Sequence, residues 1–190
     1  MKLRPERILQ CWLVASFVLG IFLHFSFSGY AEAATAKEIN TSVNAALSRF
    51  YKQVGGAQEY AKTAKGMLVM PNVKKAGFVV GGQYGEGALR VGGKTVAYYN
   101  LAAGSVGFQI GAQGMDIIIL FMTEEALRQF RASKGWEAGI DGNIALIKVG
   151  AGGSLDTTTI RDPIVGFVYD VKGLMADVSL KGAKFTRLKK

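Results

Sequence analysis

Imidazole and thiol chemistry are almost missing from this chain. It has one cysteine and one histidine, Cys11 and His24, and both fall within the first 33 of its 190 residues. Beyond residue 33 there is no disulfide to form, no thiolate and no imidazole. That excludes Cys–His and Ser–His–Asp nucleophilic catalysis, and zinc sites of the ordinary Cys/His kind. Of the 14 carboxylates, Glu6 and Glu32 lie in the same early segment. A glycosidase needs only two carboxyl groups, yet none of the remaining acids forms a recognisable acid/base motif. The expectation is a protein that is not an enzyme and carries no cofactor or metal.

Residues 1–33 read as a signal peptide. Lys2, Arg4 and Arg7 give a positive start, Cys11 to Phe27 is nearly all apolar, and Ala31-Glu32-Ala33 offers the small residues of a cleavage site. A retained anchor is the rival, because a run this short sits at the lower limit for spanning a bilayer. His24, Ser26 and Ser28 interrupt the run and weaken that rival. Cys11 follows the basic start directly, which argues against a lipid-modified cysteine. Export to the periplasm or cell envelope, with cleavage after Ala33, leaves one domain at 34–190. Removing three basic and two acidic residues lowers the formal charge from +9 to +8.

The stretch ending in Gly93-Lys94-Thr95 invites comparison with a phosphate-binding loop. It fails, since the motif's first glycine falls on Ala88 and the residues after Thr95 read as a strand instead of a helix. Gly92-Gly93 is better read as a hairpin turn. Gly82, Gly85 and Gly87 likewise have the wrong spacing for a dinucleotide fingerprint.

Thr35 and Glu38 have capping-box spacing, and Ile39, Val43, Leu47, Phe50 and Val54 form one apolar stripe that Gly55-Gly56 ends. A second short helix is expected at about 57–65. Met67–Met70 reads as a strand stopped by Pro71. Further strand runs are 77–91, 95–101, 105–113 and 115–122. Thr123 caps one more helix, with Glu124 and Glu125 in its first turn and Arg128, Arg131 and Lys134 late. Strands return at 143–151, 163–170, 174–180 and 183–188, with Lys172-Gly173 and Lys181-Gly182 as turns.

Glycine is abundant, 25 residues, well above the usual share of about 7%. Along 76–88 the odd positions carry Gly77, Gly81, Gly85 and Gly87, while the even ones carry Ala76, Phe78, Val80 and Tyr84. One face of the strand should therefore be apolar and the other bare. The run 105–114 repeats the pattern, and Gly150-Ala151-Gly152-Gly153 could serve a strand end. Bare faces suit bends and close approach by another backbone. The fold class expected is α+β: a β-rich single domain, with a strongly curved antiparallel sheet or barrel-like core packed by an N-terminal helix pair and one further helix.

Three stretches, AKGMLVMPNVKKAGFVVGGQYGEGAL (64–89), FRASKGWEAGIDG (130–142) and GAGGSLDTTTIRDPIVGFVYDVKGLMADVSLKGAKFTRL (150–188), resemble the SYLF-domain family of lipid-binding proteins, in its bacterial, exported branch. The resemblance runs from about Ile39 to Leu188. It implies binding to membrane lipid, phosphoinositides in eukaryotic members, and actin filaments in some fungal ones, whence the label of actin regulator. An exported protein would meet neither actin nor phosphoinositides, so the lipid-surface activity is the part that transfers. No cysteine follows the apolar run here, so the chain departs from family members that look like lipoproteins.

Charge supplies the candidate lipid-binding residues, since each Lys or Arg near an anionic membrane contributes about 1 kcal/mol. Lys62, Lys65, Lys74 and Lys75 flank the first strand. Arg128, Arg131 and Lys134 share the late helix beside Trp136, which is either an interfacial anchor or a core residue. Lys184, Arg187, Lys189 and Lys190 end the chain. The bland reading of each cation is a solvated charge, and of the 39–54 stripe a core-facing side instead of a membrane-inserting one. Of Tyr98 and Tyr99, one should face in and one out. The expected partner is an anionic phospholipid surface. An acyl-chain carrier and a binder of another envelope protein are the alternatives, and nucleic acid is excluded by export.

Overall fold

Thr35 starts the first helix as the sequence leads one to expect. Its hydroxyl accepts from the Glu38 N–H and the Glu38 carboxylate accepts from the Thr35 N–H, so two otherwise orphaned donors are satisfied reciprocally. The computed structural model describes residues 34–77, 80–106, 111–149, 162–173 and 179–190. Helix α1 is Ala36–Gln53 and buries Ile39, Val43, Ala46 and Phe50. The stripe is thus its core-facing side. Gly56, at φ 74°, turns the chain into α2, Ala57–Thr63.

Eight strands make one sheet: β1 Gly66–Gly77, β2 Val80–Val91, β3 Lys94–Val106, β4 Gly111–Phe121, β5 Trp136–Glu137, β6 Ala145–Lys148, β7 Ile164–Gly173 and β8 Lys184–Leu188. Their order is β5-β8-β3-β2-β1-β4-β7-β6. Every pairing is antiparallel except β6 with β7, so the sheet is mixed. Helix α3, Glu124–Ala132, is capped by the Thr123 hydroxyl, which accepts from the Ala126 N–H.

The sheet curls into a half-barrel with a core on each face. On the convex side α1 and α2 cover Val69, Ala88, Ile118, Val165, Phe167 and Tyr169. On the concave side Leu68, Leu89, Leu101, Ile117 and Ile119 meet α3 through Leu127 and Phe130. The Phe130 ring lies 4.8 Å from Phe121, 4.9 Å from Tyr99 and 5.6 Å from Trp136, centroid to centroid. These aromatics gather strands that are distant in the sheet order, and that closes the curl.

Several sequence expectations are corrected. Pro71 does not stop β1. The register shifts between Met70 and Val73, so proline sits in a bulge where its missing N–H costs no ladder bond. The run 77–91 divides between β1 and β2. The run 105–113 divides between β3 and β4, its middle outside the described residues, as are 150–161 and 174–178. Lys172 and Gly173 are not a turn, for they pair with Gly114 and Gln113 inside β7. Gly92 and Gly93, at φ 55° and 77°, do form the β2–β3 turn.

The two faces of β2 are also reversed. Tyr84 on the supposed apolar face is 49% exposed, while Gly85 and Gly87 on the bare face are buried. The bulge in β1 explains this. A Cβ on Gly87 would stand 2.0 Å from the Val69 carbonyl oxygen, and one on Gly85 would stand 2.8 Å from Val73. The bare face is where the neighbouring backbone packs.

Candidate functional site

Three of the predicted basic residues, Lys62, Lys65 and Arg128, lie toward one end of the sheet. The Lys65 N–H donates to the Phe121 carbonyl at 2.8 Å, which ties the end of α2 to the strand that feeds α3. Leu127 of α3 lies against Gly66, where a Cβ would meet its methyl at 2.7 Å. Lys62 and Lys65 therefore lie at the same end as the part of α3 that carries Leu127 and Arg128. Helix α3 then carries Arg131 and Lys134 away from that end, since Gly135 packs against Lys184, whose register partners run through Ala102 and Tyr84 to Lys74. Lys62, Lys65, Arg128, Arg131 and Lys134 are all exposed. Lys62 pairs with Glu59 at 3.0 Å and Arg128 with Glu125, both within their own helices. Exposed pairs of this kind are weak and readily exchanged.

A groove of about 430 Å³ opens at this end between α1, α2 and the β2–β3 turn. Its floor is apolar, from Leu47, Tyr51 and Met67, and its rim carries Lys62, Lys65 and Arg90. Arg90 is the member that sequence reading missed, since it stands alone between Leu89 and Val91. It is aimed by Nη2 donating to Asn44 Oδ1 at 2.6 Å and by Nη1 donating to the Gly93 carbonyl at 3.5 Å.

Lys74, Lys75 and Trp136 also stand apart from that end. Lys74 is exposed, but nine residues of chain separate it from Lys65, about 30 Å at strand rise. Lys75 points into the concave face and is buried. Trp136 is 2% exposed and packs on Phe130 and Phe185, so of its two readings the core one holds and the ring does not reach a surface. At the C-terminus Lys190 is tied down, its Nζ donating to the Ala34 carbonyl and standing 3.4 Å from Glu86. Tyr99 faces in, as one of the tyrosine pair should. Tyr98 is not a free contact, because α1 covers it and Asn40 Nδ2 donates to its hydroxyl at 2.7 Å.

A second constellation went unread in the sequence. Bulges in β1 and β7 face the same stretch of β4 under α1, with Asn72 and Asp170 both at φ 51°. Left-handed backbone is uncommon outside glycine, though Asn and Asp tolerate it best. Arg49 reaches down from α1 to Asp116 at 2.6 Å and Asp170 at 3.1 Å, and the Asn72 N–H donates to Asp116 Oδ1 at 2.9 Å. Burial opposes the charge on Arg49, but the hydrogen bond to Asp116 and the fields of both acids outweigh it and raise its pKa. The signal that could have found this was Asp116 itself, a charge inside the apolar run MDIIILF. A buried carboxylate requires a partner.

Comparison with known proteins bears on what such a domain does. Residues 102–190 match the family model Ysc84, described as Las17-binding protein actin regulator. "SH3 domain-containing YSC84-like protein 1" of Xenopus laevis is 32% identical over 127 residues, 63% of this chain and 37% of that protein. Together the two matches support the SYLF, or Ysc84, family for this chain, over residues 102–190 by the family model. The chain spans little more than a third of that curated relative's length. The SYLF match takes in the last five residues of β3 and everything after it, including Asp116, Asp170 and α3. Among the described residues no cluster of three or more potential metal ligands occurs, and no helix is long and apolar enough to cross a membrane.

Proposed function

We propose that this SYLF domain is a non-enzymatic binder of anionic phospholipid, acting at a membrane face after export. The observation that carries the reading is the groove with a cationic rim and an apolar floor. Lys62, Lys65 and Arg90 suit a phosphate-bearing head group, while Leu47, Tyr51 and Met67 suit the first carbons below it. Arg128 at the same end adds long-range attraction, which is what a charged surface rewards. A carrier enclosing an acyl chain is less well supported, because large side chains already fill the concave core between Leu68 and Phe185.

The test is co-sedimentation with neutral and anionic vesicles across a salt series. Binding that needs anionic lipid and fades with salt is the expected result. Absence of binding at low salt overturns the reading. It would leave a protein partner, the class named in the family's description. Export is tested separately by sequencing the N-terminus of the protein recovered from cells, which should begin at Ala34.

A further inference from the structure

The three cations on the rim of the groove are held differently. Lys62 is partnered by Glu59 at 3.0 Å, an exposed pair within α2 that exchanges readily. Lys65 and Arg90 pair with no carboxylate among the described residues, and no described acid lines the groove. The partners of Arg90 are neutral: Nη2 donates to Asn44 Oδ1 and Nη1 to the Gly93 carbonyl. Its Nε is enclosed without a hydrogen-bond partner. The guanidinium is therefore fixed in place while its charge is left uncancelled. Each terminal nitrogen carries two hydrogens, so one N–H on each remains unused. Three cations less Glu59 leave the rim a formal charge of +2.

Charge and apolar floor adjoin closely in a space of about 430 Å³. Lys65 is two residues from Met67, and Ala64 beside it also lines the groove. Gly92 and Gly93 line it too, and a Cβ on either would meet nothing within 4 Å, so a ligand can enter past the turn.

We infer that the groove selects a phosphomonoester carried directly on a diacylglycerol, which is phosphatidic acid; the inference rests on the groove being the lipid site. A phosphomonoester ionises a second time near pH 6 and carries about −1.5 to −2 at neutral pH, which answers the charge of the rim. Its three terminal oxygens accept from Lys62, Lys65 and Arg90, and such charge-assisted bonds are the strong ones. A phosphodiester such as phosphatidylglycerol has a single charge and two free oxygens, so one cation goes unanswered. A monoester held out on a sugar ring would place that ring, and not the acyl-bearing carbons, over Leu47 and Met67.

The experiment uses protein recovered from cells and phosphatidylcholine vesicles doped with phosphatidic acid or with phosphatidylmethanol, its smallest phosphodiester. Phosphatidylmethanol is present at twice the mole fraction so that the surface charges match, and co-sedimentation reads binding. Expected is about fivefold or more tighter binding to phosphatidic acid, the worth of one further cation answered at an anionic surface. Lys65→Gln and Arg90→Gln should each bring that preference below about twofold, and Lys74→Gln should keep it. Lys65 is exposed, so its substitution tests the site even where Arg90→Gln disturbs the fold. Equal binding to the two charge-matched vesicles overturns the inference and leaves the anionic-lipid reading standing. Binding to neither overturns both. A preference that survives Lys65→Gln and Arg90→Gln places the selectivity outside the groove and overturns the inference as well.

Discussion

Arg49 holds Asp116 from the other side of the α1–sheet interface: its Nη2 and Nε lie 2.6 and 2.8 Å from the same carboxylate oxygen. The other oxygen of Asp116 takes the Asn72 N–H, so one buried carboxylate fixes both the helix and the bulge of β1. Removing Arg49 leaves that carboxylate uncompensated. Loss of one partner from a buried pair costs about 3–5 kcal/mol, and since Arg49 is one-third exposed, Arg49→Met should cost about 2–3 kcal/mol. Asp116→Asn keeps a hydrogen-bonding side chain and should cost less. Urea unfolding of both variants decides this, and equal losses would mean the pair's charge contributes nothing.

Gly87 is required by space. Its missing Cβ would overlap the Val69 carbonyl oxygen and crowd Met70, and neither backbone atom can swing aside. Gly87→Ala should therefore destabilise the domain by about 3 kcal/mol or more, at the severe end for a single substitution. Gly104 has nothing within 4 Å of the same position, so Gly104→Ala is the matched control and should be close to neutral. Similar melting temperatures for the two variants would refute the close approach of β2 to the β1 bulge.

These two cases show what was legible in the sequence. The capped helices, the Gly92-Gly93 turn and the helix-pair-plus-sheet architecture follow from local signals a few residues apart. The bulges do not. Nothing near Pro71 announces that Asp116, forty-four residues after Asn72, will take the Asn72 N–H and let the strand continue. Lys74 and Lys75 look like one basic pair, yet strand alternation sends one to solvent and the other inside. The strand parity of β2 was visible, but which face would be buried depended on that same unseen bulge. Arg90 joined the candidate groove only because α1 supplies Asn44 to aim it.

Tyr169 links stability to alkaline pH. Its hydroxyl donates to the Ala46 carbonyl at 2.9 Å, and burial, reinforced by Asp116, pushes its pKa well above the usual tyrosine value. A raised folded-state pKa means that the contribution is complete below the unfolded value near 10 and is lost as pH climbs beyond it. Tyr169→Phe should cost about 1 kcal/mol at neutral pH for the lost hydrogen bond and should flatten the decline above pH 10. Denaturant midpoints from pH 7 to 11 measure both effects, and parallel curves would exclude Tyr169 as the alkaline group.

Trp136 separates packing from membrane contact. It is enclosed by Phe130, Phe185 and the concave core, so Trp136→Ala should cost about 3–5 kcal/mol. Trp136→Phe keeps much of the packing and should leave vesicle binding within twofold of the native protein. A tenfold loss of binding in a folded Trp136→Phe variant would return the ring to the lipid interface.

The groove and the lone cation at the far half of β1 provide an internal comparison for the membrane proposal. Lys62 and Lys65 stand on the groove rim with Arg90, whereas Lys74 is exposed about 30 Å away along β1. All three contribute equally to net charge, so a domain drawn to lipid by net charge alone should lose as much from Lys74→Glu as from Lys65→Glu. A domain that docks by its groove end should not, because a charge beyond one Debye length, about 8 Å at physiological salt, feels the bilayer weakly. Reversing Lys62 and Lys65 together removes four units of charge at the rim. At about 1 kcal/mol per cation near an anionic surface, the double reversal should weaken vesicle binding by well over tenfold, and Lys74→Glu by less than threefold. Arg90→Gln completes the series, since it removes one rim charge while retaining a polar side chain. Co-sedimentation at fixed low salt ranks the variants. Equal losses at the two ends would show that net charge alone draws the domain to lipid, and the groove would then have no part in it.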